Sequence, residues 1–187
     1  WFHPMTGFWL GAFAEQLLWT DGDQLRTMAV AGTQPWSNQL QWGAKEQHEQ
    51  QLVTDFIVHE LTPLAQNIEA RLPYSFRAGH LAHLKTDIAV SGLRTSLATI
   101  IDALHPTPAV CGLPKKPALD FILGEEGYDR SFYAGFHGEL QQDFVTGRPE
   151  TDLFVNLRCL QLTADGTHTF GHIFVGGGIT ADSDPEA

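Results

Sequence analysis

Apolar and polar positions divide the chain into three stretches of different period. Gly7 to Leu18 is apolar with small residues and reads as a strand carrying one carboxylate, Glu15. Thr20-Asp21-Gly22-Asp23 reads as a turn, because Asp-Gly suits positive φ, and Leu25 to Val30 as the returning strand of a hairpin. Ala31-Gly32-Thr33 ends that strand at a glycine, where a backbone can approach a ligand closely. From Lys45 to about Leu64 the period becomes helical: Leu52, Val53, Phe56, Ile57, Leu61 and Leu64 recur at three- and four-residue steps. Thr95 to Leu104 predicts a second, shorter helix, stopped by His105-Pro106-Thr107-Pro108. Lys116 to Leu123 predicts a third. The last third is strand-rich, with strands expected over Phe132 to Leu140, Asp152 to Leu162 and Thr169 to Val175. Strands, then helices, then antiparallel strands predict an α+β fold.

Composition narrows the partners. The chain has 187 residues, 43% hydrophobic and 18% charged, which is globular composition at single-domain length. Its formal net charge of −11 disfavours nucleic acid, whose grooves demand concentrated positive charge, and anionic lipid for the same reason. No run of eighteen apolar residues predicts a membrane span. Cys111 and Cys159 are too few for a disulfide scaffold and read as buried thiols of an intracellular, cytoplasmic protein. The ends, Trp1-Phe2-His3-Pro4 and Asp184-Pro185-Glu186-Ala187, both read as cuts.

Several residues are candidates for chemistry, each with a structural alternative. Glu15 sits in an apolar segment, where a buried unpaired carboxylate is costly. It either faces water on an edge strand, pairs with a base, or is protonated and useful. Glu49, within Lys45-Glu46-Gln47-His48-Glu49-Gln50, is either a solvated acid in the first turns of a helix or a carboxylate ligand for a hard divalent cation such as Mg²⁺. No HExxH motif is present, neither cysteine lies in a CxxC, and His80 with His83 finds no third ligand of matching spacing. A zinc site is therefore not expected. His105 has a rigid backbone before Pro106, but a lone histidine is more often structural. Arg158 breaks the apolar run Leu153 to Leu157 and either pairs a carboxylate or snorkels to solvent. Gly176-Gly177-Gly178 follows the last strand, as a tight turn or as a backbone cradle for a carboxylate or phosphate.

These residues fit a Mg²⁺-assisted enzyme for a small carboxylate-bearing molecule without naming the reaction. Five stretches in order and in register go further. They are Leu25-Arg26-Thr27-Met28-Ala29-Val30-Ala31-Gly32-Thr33; Lys45 to Glu49; Leu104-His105-Pro106-Thr107-Pro108-Ala109-Val110-Cys111-Gly112-Leu113-Pro114-Lys115; Tyr133-Ala134-Gly135; and Gly176 to Glu186. Together they resemble the chorismate-binding enzymes, and within them the isochorismate synthases. Anthranilate and aminodeoxychorismate synthases have Phe-Pro-x-Gly in place of His105-Pro106-Thr107-Pro108, and the latter carry a lysine where this chain has Ala31. Salicylate synthases are closer.

The resemblance implies two antiparallel sheets packed face to face with helices outside, and an isomerase that moves a hydroxyl on the chorismate ring with Mg²⁺ as cofactor. Glu15 matches the general acid and Glu49 a Mg²⁺ ligand. Tyr133 and Arg158 match residues that hold the pyruvyl-ether carboxylate, and His105 matches a substrate-pocket histidine. Gly32, Thr33 and Gly176, Gly177 and Gly178 match backbone substrate contacts. No glutamine amidotransferase subunit is expected. The product would supply menaquinone or siderophore synthesis. The family's water-activating lysine falls upstream of Trp1, and a second Mg²⁺ glutamate falls beyond Ala187. Residues 1–187 therefore read as a single chorismate-binding domain fragment, truncated at both ends, which alone exposes apolar surface and is inactive. The rival readings are a salicylate synthase and a non-catalytic module of the same fold.

Overall fold

The computed structural model describes residues 1–12, 15–179 and 183; Phe13, Ala14 and most of the Thr180 to Glu186 motif lie outside the described residues. Among the described residues, eleven strands form two antiparallel sheets: β1 (Phe2–His3), β2 (Gly7–Gly11), β3 (Gln16–Asp21), β4 (Gln24–Pro35), β5 (Asn67–Ala70), β6 (Tyr74–Ala78), β7 (Leu81–Ser91), β8 (Phe136–Glu139), β9 (Glu150–Val155), β10 (Cys159–Ala164) and β11 (Thr169–Phe174). The smaller sheet runs β1-β2-β10-β11. The larger runs β5-β7-β4-β3-β9-β8, with β6 also on β7.

Two predicted strands are in fact pairs of strands that change sheet. Gly7 to Leu18 divides into β2 and β3, and Asp152 to Leu162 into β9 and β10. β2 pairs with β10 and β3 with β9, so the two changeovers run side by side. The Ala12 N–H donates to the Arg158 carbonyl (3.3 Å), and the Val155 N–H to the Glu15 carbonyl (3.0 Å). Periodicity cannot show such a corner, because both halves of each run stay apolar. Neither Glu15 nor Arg158 lies within a strand, contrary to expectation. Arg158 has a left-handed backbone, φ 50°.

The β3–β4 hairpin forms at Gly22, but β4 does not stop at Gly32. The strand bulges there and continues to Pro35, the register with β7 slipping between Ala31↔Leu84 and Thr33↔His83. The strands β5 to β7 were not anticipated, because polar residues interrupt their alternation. On β7, Leu84, Thr86, Ile88 and Val90 nevertheless point to the core. The expected strand over Phe132 to Leu140 shrinks to β8, preceded by a turn through Tyr133 and Ala134.

Three helices follow the predicted order: α1 (Ala44–Leu61), α2 (Leu97–Leu104) and α3 (Lys115–Glu125). α1 and α2 cover one face of the larger sheet, where Val53, Ile57, Leu61, Ile100 and Leu104 pack on Leu18, Leu25, Ala29, Ile88, Leu153 and Val155. α1 also buries Gln50 and Thr54. The Gln50 amide donates to the Thr86 hydroxyl (2.7 Å) and the Thr54 hydroxyl (2.9 Å), which removes the cost of that polar burial. On the smaller sheet, Trp9 is buried between Trp1, Phe132 and Phe174. Among the described residues, no helix is long and apolar enough to cross a membrane.

The loop from Pro106 to Pro114 is closed by Lys115. Its ammonium donates to the carbonyls of Asp102 (2.9 Å), Ala103 (3.1 Å) and His105 (2.8 Å), capping the carbonyl end of α2. Lys115→Met should therefore lower unfolding free energy by about 2 kcal/mol. Lys116→Met, which loses an exposed pair with Asp120, should change it by less than about 1 kcal/mol. Urea denaturation of both variants measures the difference.

Candidate active site

Two cavities adjoin at Val30. The larger, about 530 Å³, lies between the β4 bulge (Ala31, Gly32), α1 (His48, Glu49, Leu52) and the proline loop (Pro108, Gly112, Leu113), with Gly178 at its edge. Its size suits a small metabolite. The smaller, about 40 Å³, has walls of Ala12, Glu15, Val30, His83, Leu157 and Arg158. It is large enough for a water molecule or one substituent of a ligand.

The sheet changeovers supply the chemistry of the small cavity. Glu15 is buried, and burial raises its pKa from the ordinary 4.5 to about 7, against the opposing pull of the Arg158 charge. A carboxyl with that pKa gives or takes a proton near neutral pH. His83, noted in the sequence only for its spacing from His80, is the histidine of this site. Its Nδ1 lies 3.2 Å from the Gly32 carbonyl and 3.1 Å from the Thr33 hydroxyl. The carbonyl can only accept, which assigns the proton to Nδ1 and leaves Nε2 an acceptor. Nε2 is buried with no hydrogen-bond partner among the described residues. Burial lowers the His83 pKa, so the ring is neutral at pH 7. The signal for His83 lay in the register of β7, which only its pairing with β4 reveals.

Gly32 makes this arrangement possible. Its φ is +68°, and a Cβ there would lie 3.1 Å from both the Glu46 Cβ and the Trp42 ring. The bulge turns its carbonyl to His83 while α1 packs against its α-carbon. Across the larger cavity, Glu49 has a buried Oε1 without a hydrogen-bond partner among the described residues, and Lys45 stands 3.9 Å away. One orphan carboxylate oxygen on a roomy cavity fits Mg²⁺, which takes one or two carboxylates and keeps waters or ligand oxygens elsewhere. Among the described residues, no group of three His, Cys, Asp or Glu side chains is placed to hold a metal.

The glycine run approaches both sides. A Cβ on Gly178 would be 3.6 Å from Glu49 Oε2, and one on Gly176 would be 2.7 Å from the Tyr133 hydroxyl; Gly177 touches nothing that close. Tyr133 stacks on Phe174 at 5.0 Å, with the Arg130 guanidinium 5.6 Å from its ring centroid. Asn156, which sequence reading passed over, fixes the Tyr133 turn. Its side-chain amide donates to the Phe132 carbonyl (2.7 Å), its N–H to the Gly135 carbonyl (2.8 Å), and its carbonyl accepts from the Ala134 N–H (3.0 Å).

His105 lies elsewhere. It caps α2, packs edge-on against Phe136 at 5.1 Å and borders neither cavity. Burial, aided by the Lys115 charge, lowers its pKa to about 4. The Pro108 to Leu113 part of its motif lines the larger cavity instead.

A family model described as chorismate binding enzyme matches residues 2–187. The chain belongs to the chorismate binding enzyme family. A Mycobacterium tuberculosis protein provisionally named isochorismate synthase MenF is 38% identical over 95% of this chain and 49% of its own length. The salicylate biosynthesis isochorismate synthase of Pseudomonas aeruginosa is 34% identical over 94% of this chain and 38% of its own. The structure of MenF, the menaquinone-specific isochorismate synthase of Escherichia coli, superposes with a TM-score of 0.76 at 28% identity, over 95% of this chain and 42% of that one. The chain thus spans half or less of the length of these relatives.

In this member of the chorismate binding enzyme family, Glu15 holds a proton that its unfolded form releases. Its stabilising contribution is complete below pH about 4.5 and is lost as pH rises through about 7. Unfolding free energy should fall by roughly 3 kcal/mol between pH 5 and 8 from this group. Glu15→Gln should remove that dependence and be the more stable protein at pH 8, as urea titrations at the two pH values would reveal. Gly32→Ala meets both a left-handed backbone and the α1 contact, so it should cost about 2 kcal/mol, read from the same titrations.

Proposed function

We propose that this chain carries the acid and metal-binding part of an isochorismate synthase, an isomerase that converts chorismate to isochorismate. The observation that carries the reading is Glu15: a carboxyl with a pKa of about 7, in a small cavity shared with Arg158 and His83 and adjoining one of metabolite size. The names of the relatives that match over nearly the whole chain support the choice of reaction.

In the reaction proposed, water forms a C–O bond at ring carbon 2 as the C–O bond at carbon 4 breaks and the double bonds shift. Glu15 delivers its proton to the departing C4 hydroxyl, which leaves as water. The entering water loses a proton to a base, so one water is consumed and one released. Arg158 supplies a fixed positive charge for a substrate carboxylate. The Tyr133 hydroxyl and the backbone at Gly176 present polar groups beside one another for the same purpose. The neutral His83 ring offers Nε2 as an acceptor and adds no positive charge of its own beside the acid. The proline loop and Leu52 give the larger cavity apolar walls. Glu49 would hold Mg²⁺, which when bound would offset the charge of a ring carboxylate. The product would feed menaquinone or siderophore synthesis, in step with the relatives' names.

The test uses the polypeptide of the whole reading frame that contains these 187 residues, incubated with chorismate with and without Mg²⁺. Isochorismate should appear with Mg²⁺ only. Glu15→Gln and Glu49→Gln should each lower kcat by at least about 100-fold, the scale of a lost general acid or metal ligand. Fluorescent salicylate as the product would overturn the reaction assignment, and no conversion by the folded polypeptide would overturn the enzymatic one.

A further inference from the structure

The turn that carries Tyr133 holds two non-glycine residues in the left-handed region, Ser131 at φ 48° and Ala134 at φ 61°. Such conformations cost free energy and persist only where neighbours fix them. The Ser131 N–H donates to Asp129 Oδ1 (2.8 Å), and the Ala134 N–H to the Asn156 carbonyl (3.0 Å). The backbone is thus bent, at a cost, around one side chain. The Tyr133 ring stacks on Phe174, which stacks in turn on the buried Trp9 at 5.6 Å.

Arg130 joins this turn to the cavity wall. Its Nε donates to Glu126 Oε2 (2.6 Å) and its Nη2 to Glu126 Oε1, a two-point pair with the residue that caps α3. Its Nη1 donates to the Val110 carbonyl (3.2 Å). Its own carbonyl accepts from the Tyr133 N–H (2.8 Å), and its guanidinium lies over the Tyr133 ring. Val110 is in the middle of the proline loop, between the Pro108-Ala109 and Gly112-Leu113 pairs that line the larger cavity. One planar cation therefore touches the end of α3, the cavity wall and the tyrosine. A partly exposed ion pair adds little stability by itself. What a rigid fork of donors adds is direction.

We propose that Arg130 is a positioning residue: it locks the Tyr133 turn to the proline loop, so that the Tyr133 hydroxyl meets a carboxylate of the substrate beside the backbone at Gly176. The inference rests on the carboxylate-binding role proposed for Tyr133. Arg130 itself borders neither cavity, so it acts through Tyr133 and the loop rather than on the substrate.

The test again uses the polypeptide of the whole reading frame. In Arg130→Met, amide hydrogen exchange should be at least about 10-fold faster at residues 109–112 and 133–135 and unchanged in β4 and β7. With chorismate, Arg130→Met should raise KM about 10-fold and leave kcat within about 2-fold, because a grip on a carboxylate is the same in the ground state and the transition state. Arg130→Lys should raise KM nearly as much, since an ammonium cannot span Glu126 and Val110 as the fork does. In a Tyr133→Phe background, Arg130→Met should add less than about 2-fold, because the two residues act as one unit. Glu126→Gln should move exchange and KM in the same direction by less, and takes the place of Arg130→Met if that variant does not fold. Unchanged exchange at the two segments, full rescue by Arg130→Lys, or effects on KM that multiply with those of Tyr133→Phe would each overturn the proposal. Loosening of both segments in a polypeptide that leaves chorismate unconverted would uphold the lock and count against the proposed reaction.

Discussion

Two backbone hydrogen bonds between neighbouring changeovers organise the rest of the structure: Ala12 to the Arg158 carbonyl and Val155 to the Glu15 carbonyl. Each changeover leaves one sheet and enters the other, and antiparallel pairing on both sides forces them together. A carboxyl and a guanidinium from opposite ends of the chain are thereby held at one corner. The corner is buried, so the carboxyl keeps its proton to near neutrality even with a positive charge close by. Moving either changeover by one residue would turn its side chain to the other face. The position of the acid is thus a consequence of strand register in two sheets at once.

A second constraint is the bulge at Gly32. It lets one strand serve both cavities, with Val30 between them and the Gly32 carbonyl orienting His83. The proline loop, tied to the end of α2 by Lys115, forms the opposite wall. Rigid elements thus frame the larger cavity on several sides, and the glycine run closes against Tyr133 and Glu49 without side chains of its own. Placing Glu15 and Arg158 at a sheet corner and Glu49 on a helix limits the reorganisation needed to bind a small anion.

Much of this was legible in the residues. Helical spacing gave α1 to within one residue at its start and three at its end, the Asp-Gly pair gave the β3–β4 hairpin, and the prolines ended α2. Five motifs in register gave the family, since none of them alone is specific. The changeovers were not legible, because an apolar run has the same pattern whether it stays in one sheet or bends into a second. β7 was hidden because Thr86 replaces an apolar residue at a core position, its hydroxyl satisfied by Gln50 from the helix above. That pairing joins residues 36 positions apart in sequence, and neither partner looks buried on its own.

The sequence by itself determined the fold class and the family, and it offered Glu15, Glu49, Tyr133, Arg158 and the glycines as candidates, because local propensity and motif order are properties of the chain. Tertiary structure decided which of these share a cavity and which histidine joins them. His105 was the conspicuous candidate, but its loop turns it against Phe136, while β-sheet register carries the inconspicuous His83 beside Glu15. Burial, register and the convergence of distant segments set proton affinity and reach. Those are properties of neighbours in space, which no pattern along a single chain encodes.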